Sequence, residues 1–207
     1  MPSHGLVAGA AAAAAACALL ELLRRRRRRR GPPPAWFAAL ASDPGLARVA
    51  LPEWDNGPAW RRRNGFKGSD YAHGPDAAVH VAGYFLAGVP GGVGSTLTGA
   101  VHFGPGAESH RGLCHGGTMC TVMDDVVGWT GFCSTGACVA WSGFTVQVNT
   151  KLSAPVPVGA WLRVDGAVTS VEGRKVRIAA RLVTPAAGGA DELVHCEGEG
   201  LVVLKKT

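Results

Sequence analysis

The stretch CHGGTMCTVMDDVVGWTG, Cys114 to Gly131, decides how this chain folds. From Gly117 to about Cys133 it reads as one long helix. That helix is apolar on nearly every side, with Met119, Cys120, Val122, Met123, Val126, Val127 and Trp129. A helix hydrophobic all round is a buried one. It opens, however, on two glycines, which cannot shield the backbone. First-turn N–H groups have no partner within a helix and carry a partial positive charge. A glycine-flanked helix start therefore suits an electron-rich oxygen such as a polarised carbonyl. Two acids interrupt the apolar run, Asp124 and Asp125. Ionised carboxylates inside a buried helix are costly unless something meets them. Neighbours in a helix point about 100° apart, so only one of the two can face a given cleft. Asp124 follows Gly117 by two turns and shares its face. Asp125 is turned away, toward solvent, a strand or an ion partner.

Outward from the helix, the chain alternates strands and turns. Val79 to Ala87 and Ser95 to Phe103 read as strands, separated by Val89-Pro90-Gly91-Gly92. Gly104 to Gly112 reads as a loop closed by His115-Gly116-Gly117. After the helix come Val139 to Ser153, Trp161 to Val171, Lys175 to Val183 and Leu193 to Leu204. Short links between neighbouring strands favour antiparallel pairing. One helix must then cover one face of a sheet of about six strands, which is an α+β layering.

His115-Gly116-Gly117, then Asp124 and Gly128, resembles the HGG-x6-D-x3-G signature of the hotdog-fold acyl-CoA thioesterases. The similar branch includes phenylacetyl-CoA thioesterases and mitochondrial long-chain acyl-CoA thioesterases. The run Thr145-x-Gln147-x-Asn149-x-Lys151-x-Ser153-x-Pro155-x-Pro157 is similar to the strand that follows the helix there. Val171-Glu172-Gly173-Arg174-Lys175 is similar to the next hairpin, and the likeness covers roughly residues 79 to 205. The resemblance implies a curved sheet wrapped around the helix and hydrolysis of acyl-CoA thioesters. It implies that the backbone at Gly117 holds the thioester carbonyl and that Asp124 is general base or nucleophile. His115 would orient the turn or the substrate. Gly116, Asn149, Lys151, Ser153, Arg174 and Lys175 would contact substrate, the basic ones meeting the phosphates of coenzyme A. It further implies a homodimer or a dimer of dimers, with the acid serving the partner's site, and no metal or other cofactor. Two departures stand out. Ser153 occupies a position that is often basic, and about five extra residues lie between the helix and Thr145. The alternative reading from another class is a non-catalytic acyl-CoA-binding or scaffolding protein of the same fold.

The net charge of +6 belongs to one run. Arg24 to Arg30 supplies seven of the 21 basic residues and Glu21 one of the 15 acids, so the remainder of the chain is balanced. That excludes an overall basic footprint for nucleic acid. Residues 1–30 form a segment of their own. Gly5 to Leu23 is almost wholly apolar and alanine-rich, with the arginines after it rather than before. An organellar transit peptide, mitochondrial or plastid, is the preferred reading; a membrane anchor through residues 5–23 is the competing one. Gly31-Pro32-Pro33-Pro34 then opens a linker and arm, residues 31–75, with a helix candidate at Ala35 to Ala41 and a basic cluster at Arg61 to Arg63. The domain proper is expected over residues 76–207. The six cysteines form no regular framework and no CxxC pair, so zinc is not expected and a reducing compartment is the simpler reading, with disulfides the lesser alternative.

Overall fold

A computed structural model describes residues 31–50, 59–68, 71–74, 77–87, 92–136, 138–188 and 190–206. The apolar tract and arginine run of residues 1–30 lie outside the described residues, as does most of the Val89-Pro90-Gly91-Gly92 link. Among the described residues, no helix is long and apolar enough to cross a membrane.

The chain runs α1 (Ala35–Ser42), β1 (Ala47–Arg48), β2 (Val79–Ala87), β3 (Thr96–Phe103), β4 (Glu108–His110), β5 (Leu113–Cys114), α2 (Gly116–Cys133), β6 (Gly143–Leu152), β7 (Trp161–Glu172), β8 (Lys175–Thr184) and β9 (Leu193–Leu204). Seven strands form one sheet in the order β1-β2-β3-β7-β8-β9-β6, and every neighbouring pair is antiparallel. The sheet curves around α2, which packs against β6, β9, β8, β7, β3 and β2. This is the hotdog arrangement expected from the sequence.

Alternation sets the faces of the sheet. Leu162, Val164 and Val168 of β7, and Val176, Ile178 and Leu182 of β8, are buried against the helix side. Where α2 comes closest, the strands carry glycine. A Cβ on Gly166 would lie within 2.2 Å of Thr130 Oγ1, and one on Gly200 within 2.3 Å of Val127 Cγ1. One on Gly198 would meet Met123 Cε at 3.0 Å. The helix reciprocates at Gly131, whose missing side chain admits Val202 at 2.7 Å. Overpacking of this kind costs about 1–3 kcal/mol per site, so the glycines set how deep the helix sits.

Three features differ from the sequence expectation. The sheet gains β1, whose Ala47 and Arg48 pair with Leu86 and Phe85. Both residues of β1 are exposed and joined through backbone alone, so no alternation marked them. The Gly104–Gly112 loop holds a 3-10 turn, Pro105–Ala107, and one half of a small hairpin, β4-β5. The strand expected from Val139 starts only at Gly143, because Trp141 adopts φ 61° and turns the chain.

That turn belongs to the extra residues between helix and strand. Cys133, the last residue of α2, is disulfide-bonded to Cys138. Trp141 then folds back onto an aromatic cluster, 5.8 Å from Trp129, 6.4 Å from Phe132 and 6.4 Å from Phe66 of the arm. Pro33–Thr207 accordingly forms one compact unit, with the arm joined to the sheet.

Candidate functional site

The start of α2 is built by His115. It takes an extended conformation at the N-cap, and its Nδ1 accepts from Gly117 N–H at 2.8 Å. The Thr118 amide turns back to His115 O at 2.9 Å. The Gly117 amide expected to be open is thus covered by the histidine side chain, while no described group accepts from Gly116 N–H. Both glycines let a neighbouring side chain close in. A Cβ at Gly116 would meet Leu152 Cδ1 at 2.7 Å, and one at Gly117 would meet His115 Nδ1 at 3.0 Å. The His115 main chain is itself fixed, its N–H donating to Ala107 O at 2.8 Å.

The two acids separate as helical phase predicts. Asp124 is open to solvent on the side that carries Gly117, and β6 runs alongside it. Thr145 of β6 donates a hydrogen bond to its carboxylate. The hydroxyl reaches the helix because Gly128, one turn after Asp124, carries no side chain; a Cβ there would sit 3.3 Å from Thr145 Oγ1. Partial desolvation against helix and strand raises the Asp124 pKa above the ordinary carboxylate value; the Thr145 hydrogen bond pulls it down and the neighbouring Asp125 pushes it up. A carboxyl group poised in this way suits proton abstraction near neutral pH.

Asp125 turns to the opposite flank. Tyr84 of β2 donates to its Oδ2 at 2.7 Å, and His73 Nε2 lies 3.1 Å from the same oxygen. A carboxylate only accepts, so that nitrogen carries the proton. Tyr84 is fully buried, and burial together with Asp125 raises its pKa well above the usual phenol value.

The remaining residues singled out by the resemblance fall into three other places. Asn149 and Lys151 pair with Glu199 and Glu197 in register. Gly198, between those acids, faces Met123 of the helix, so Asn149 and Lys151 stand on the outer face of the sheet. There they line a groove of about 890 Å³ with Arg163, Asp165, Arg181 and Glu197. Arg163 clasps Asp165 at 2.9 Å and also bonds Glu192, and Arg181 bonds Glu192 at 2.8 Å. Ser153 lies just past β6, its N–H donating to His195 O at 2.9 Å. Arg174 and Lys175 form the β7-β8 hairpin, where Arg174 Nη1 donates to Leu204 O at 2.9 Å. Register places this hairpin beside the first residues of β6, at the far end of α2 from Gly117.

Within one chain the structure therefore places His115, Gly116 and Gly117 at the start of α2 and Asp124 with Thr145 two turns, about 10 Å, further along it, while Asn149, Lys151, Arg174 and Lys175 stand elsewhere. Thr145 was missed as a site residue, although a glycine four positions after the acid signals that a strand side chain enters there. Tyr84 and His73 lie 41 and 52 residues before Asp125, beyond any local pattern. Among the described residues, no group of three His, Cys, Asp or Glu side chains could hold a metal ion.

No protein-family model matches this sequence, and no curated protein matches it. Solved structures do. Zebra fish thioesterase superfamily member 2 is similar at 18% identity and a TM-score of 0.47, over 62% of this chain and 83% of that one. An acyl-CoA hydrolase variant from Staphylococcus aureus is similar at 12% identity and a TM-score of 0.48, over 54% and 67%. A Streptococcus mutans protein solved with acetyl CoA is similar at 11% identity and 0.48, over 59% and 88%.

Proposed function

We propose that this chain hydrolyses acyl-CoA thioesters, with Asp124 activating the attacking water. The observation that carries the reading is the division of labour between adjacent acids. Asp125 is consumed by Tyr84 and His73, whereas Asp124 remains open, beside one hydroxyl, on the face of the amide-rich helix start. In the reaction, water adds to the thioester carbonyl carbon as Asp124 takes its proton. The C–S bond then breaks, and the proton passes to the departing CoA sulfur, leaving free acid and CoA. A thioester already has a good leaving group, so carbonyl polarisation and an activated water suffice. The Gly116 and Gly117 amides of one copy would supply the polarisation for the Asp124 of the other, because those on Asp124's own helix lie about 10 Å away, and Gly117 would serve only once the His115 imidazole rotates off it. Thr145 would hold the Asp124 carboxylate, or the water, in line.

A homodimer through β6 completes this reading. The strand is a sheet edge, yet Phe144, Val146 and Leu152 are 63%, 56% and 48% exposed, an apolar profile that edges usually avoid. Antiparallel pairing of β6 with its copy would bring the partner's β7-β8 hairpin, Arg174 and Lys175, toward this chain's Gly117 end. Those cations could then meet the phosphates of coenzyme A. Residues 1–30 are proposed as an organellar targeting segment, which a fluorescent fusion of residues 1–34 tests.

The test of the activity is release of free CoA from short, long and aromatic acyl-CoAs by the parent and Asp124→Asn. Full activity in the variant overturns the assignment of Asp124. Binding of acyl-CoA without cleavage by the parent returns the chain to the non-catalytic alternative.

A further inference from the structure

The arm and β2 send two donors to one oxygen of Asp125, and the hydrolytic reading leaves that arrangement unused. Tyr84 O–H and His73 Nε2 meet Oδ2 at 2.7 and 3.1 Å, and the side chains of His73 and Asp125 are only 4% and 15% exposed. His73 is braced edge-on against Trp129 at 6.2 Å, one turn further along the same flank of α2. Tyr84 is braced from the other side, since Gly99 of β3 is too close to its ring to accept a Cβ, at 2.5 Å. A carboxylate held this firmly cannot swing toward solvent to dilute its charge. Its neighbour in sequence is Asp124, whose own carboxyl group faces no cation among the described residues.

We propose that Asp125, pinned by Tyr84 and His73, is a positioning residue that strengthens Asp124 as a base through fixed like charge. The inference rests on Asp124 being the base of the proposed hydrolysis. Among the described residues, no cation acts on Asp124. β6 offers the neutral Thr145, the helix offers His115 two turns earlier, and Lys151, Arg163 and Arg181 stand across the sheet. Arg61 of the arm is occupied over the Phe66 ring at 4.2 Å. Two negative charges on successive helix residues repel, and the more flexible, more exposed one gains proton affinity. A carboxylate with greater proton affinity draws a proton from water more readily in the transition state. The design sets a half-buried, hydrogen-bonded acid beside an exposed acid that does the work.

The experiment pairs pH–rate profiles for CoA release with a carboxyl NMR titration of Asp124, assigned through Asp124→Asn. Both are run on the full chain of the parent, Asp125→Asn and Asp125→Glu. Asp125→Asn keeps the side-chain shape and an acceptor for Tyr84 but removes the charge. The acidic limb of kcat/KM and the Asp124 midpoint should both move to lower pH, the plateau kcat should fall a few-fold, and Asp125→Glu should restore the limb toward the parent. Should Asp125→Asn fail to fold, Tyr84→Phe takes its place and should shift the limb in the same direction by less. An unchanged midpoint, or lower activity with an unmoved limb, reduces Asp125 to a structural tie and overturns the proposal. If the parent cleaves no acyl-CoA, the hydrolytic reading falls on that result alone, while the NMR titration still decides whether the two acids are coupled.

Discussion

The two faces of the sheet differ in what holds them. The inner face meets α2 through apolar side chains and bare glycine backbone, at Gly166, Gly198 and Gly200, with no room for an added methyl group. The outer face carries Arg163, Asp165, Arg181 and Glu192 in a partly exposed ion-pair cluster, with Glu197, Glu199, Asn149 and Lys151 beside it. Packing density is unforgiving and short-ranged, whereas exposed ion pairs are screened and individually weak. Chemistry placed on the inner side is therefore precise, and residues on the outer side are free to vary. The contrast also explains why the expected site residues divided as they did, since one strand, β6, presents Thr145 inward and Asn149 and Lys151 outward.

The contrast can be tested most severely at Asp124. Asp124→Asn should lower kcat for CoA release by about 10²–10⁴-fold with the melting temperature nearly unchanged, read from steady-state kinetics and thermal unfolding. Next comes packing. Gly166→Ala should destabilise by about 1–3 kcal/mol in urea unfolding, because Thr130 Oγ1 occupies the position of the new methyl. A cost near zero would mean the helix can lift off the sheet and the inner face is looser than described. At the end of the helix, replacing both Cys133 and Cys138 by serine should cost about 2 kcal/mol from loop-closure entropy, seen as equal melting of parent and variant once the parent is reduced. On the outer face, Asp165→Asn should cost no more than about 1 kcal/mol, and less in high salt. The smallest effect is expected of Lys151→Ala, with KM for acyl-CoA within about threefold of the parent if the outer face stands apart from the site. A tenfold rise would sharpen the comparison differently, by showing that the outer face takes part in holding the substrate.

How much of this was legible beforehand follows from what each feature depends on. The limits of β2 and β9 coincide with the runs Val79–Ala87 and Leu193–Leu204, because period-two alternation and bounding turns are local signals. The helix, its burial and the separation of Asp124 from Asp125 were equally readable, since they depend on helical phase. The pairing of Asp125 was not, because its partners arrive from β2 and from the turn-rich part of the arm beyond its helix candidate. Thr145 was visible as a strand residue but not as a neighbour of Asp124; that contact needs the register of β6 against α2. The late start of β6 followed from a positive φ at Trp141, a conformation that side-chain chemistry at that position does not signal. The Cys133–Cys138 bond was hidden for a similar reason, since its spacing matches no repeated framework.

His73 joins an arm to a helix through one carboxylate oxygen, beside the β1–β2 pairing and the Phe66–Trp141 contact, and these ties make the arm part of the cooperative unit. A shortened chain starting at residue 76 would keep every strand from β2 to β9, yet would lose His73, Phe66 and Trp60 together. Asp125 would then face a vacancy with one donor where it had two, and Trp129 would lose the ring of His73. The minimum piece that melts in a single transition accordingly begins well before the first long strand, and the sequence that looks like a tether behaves as a keystone.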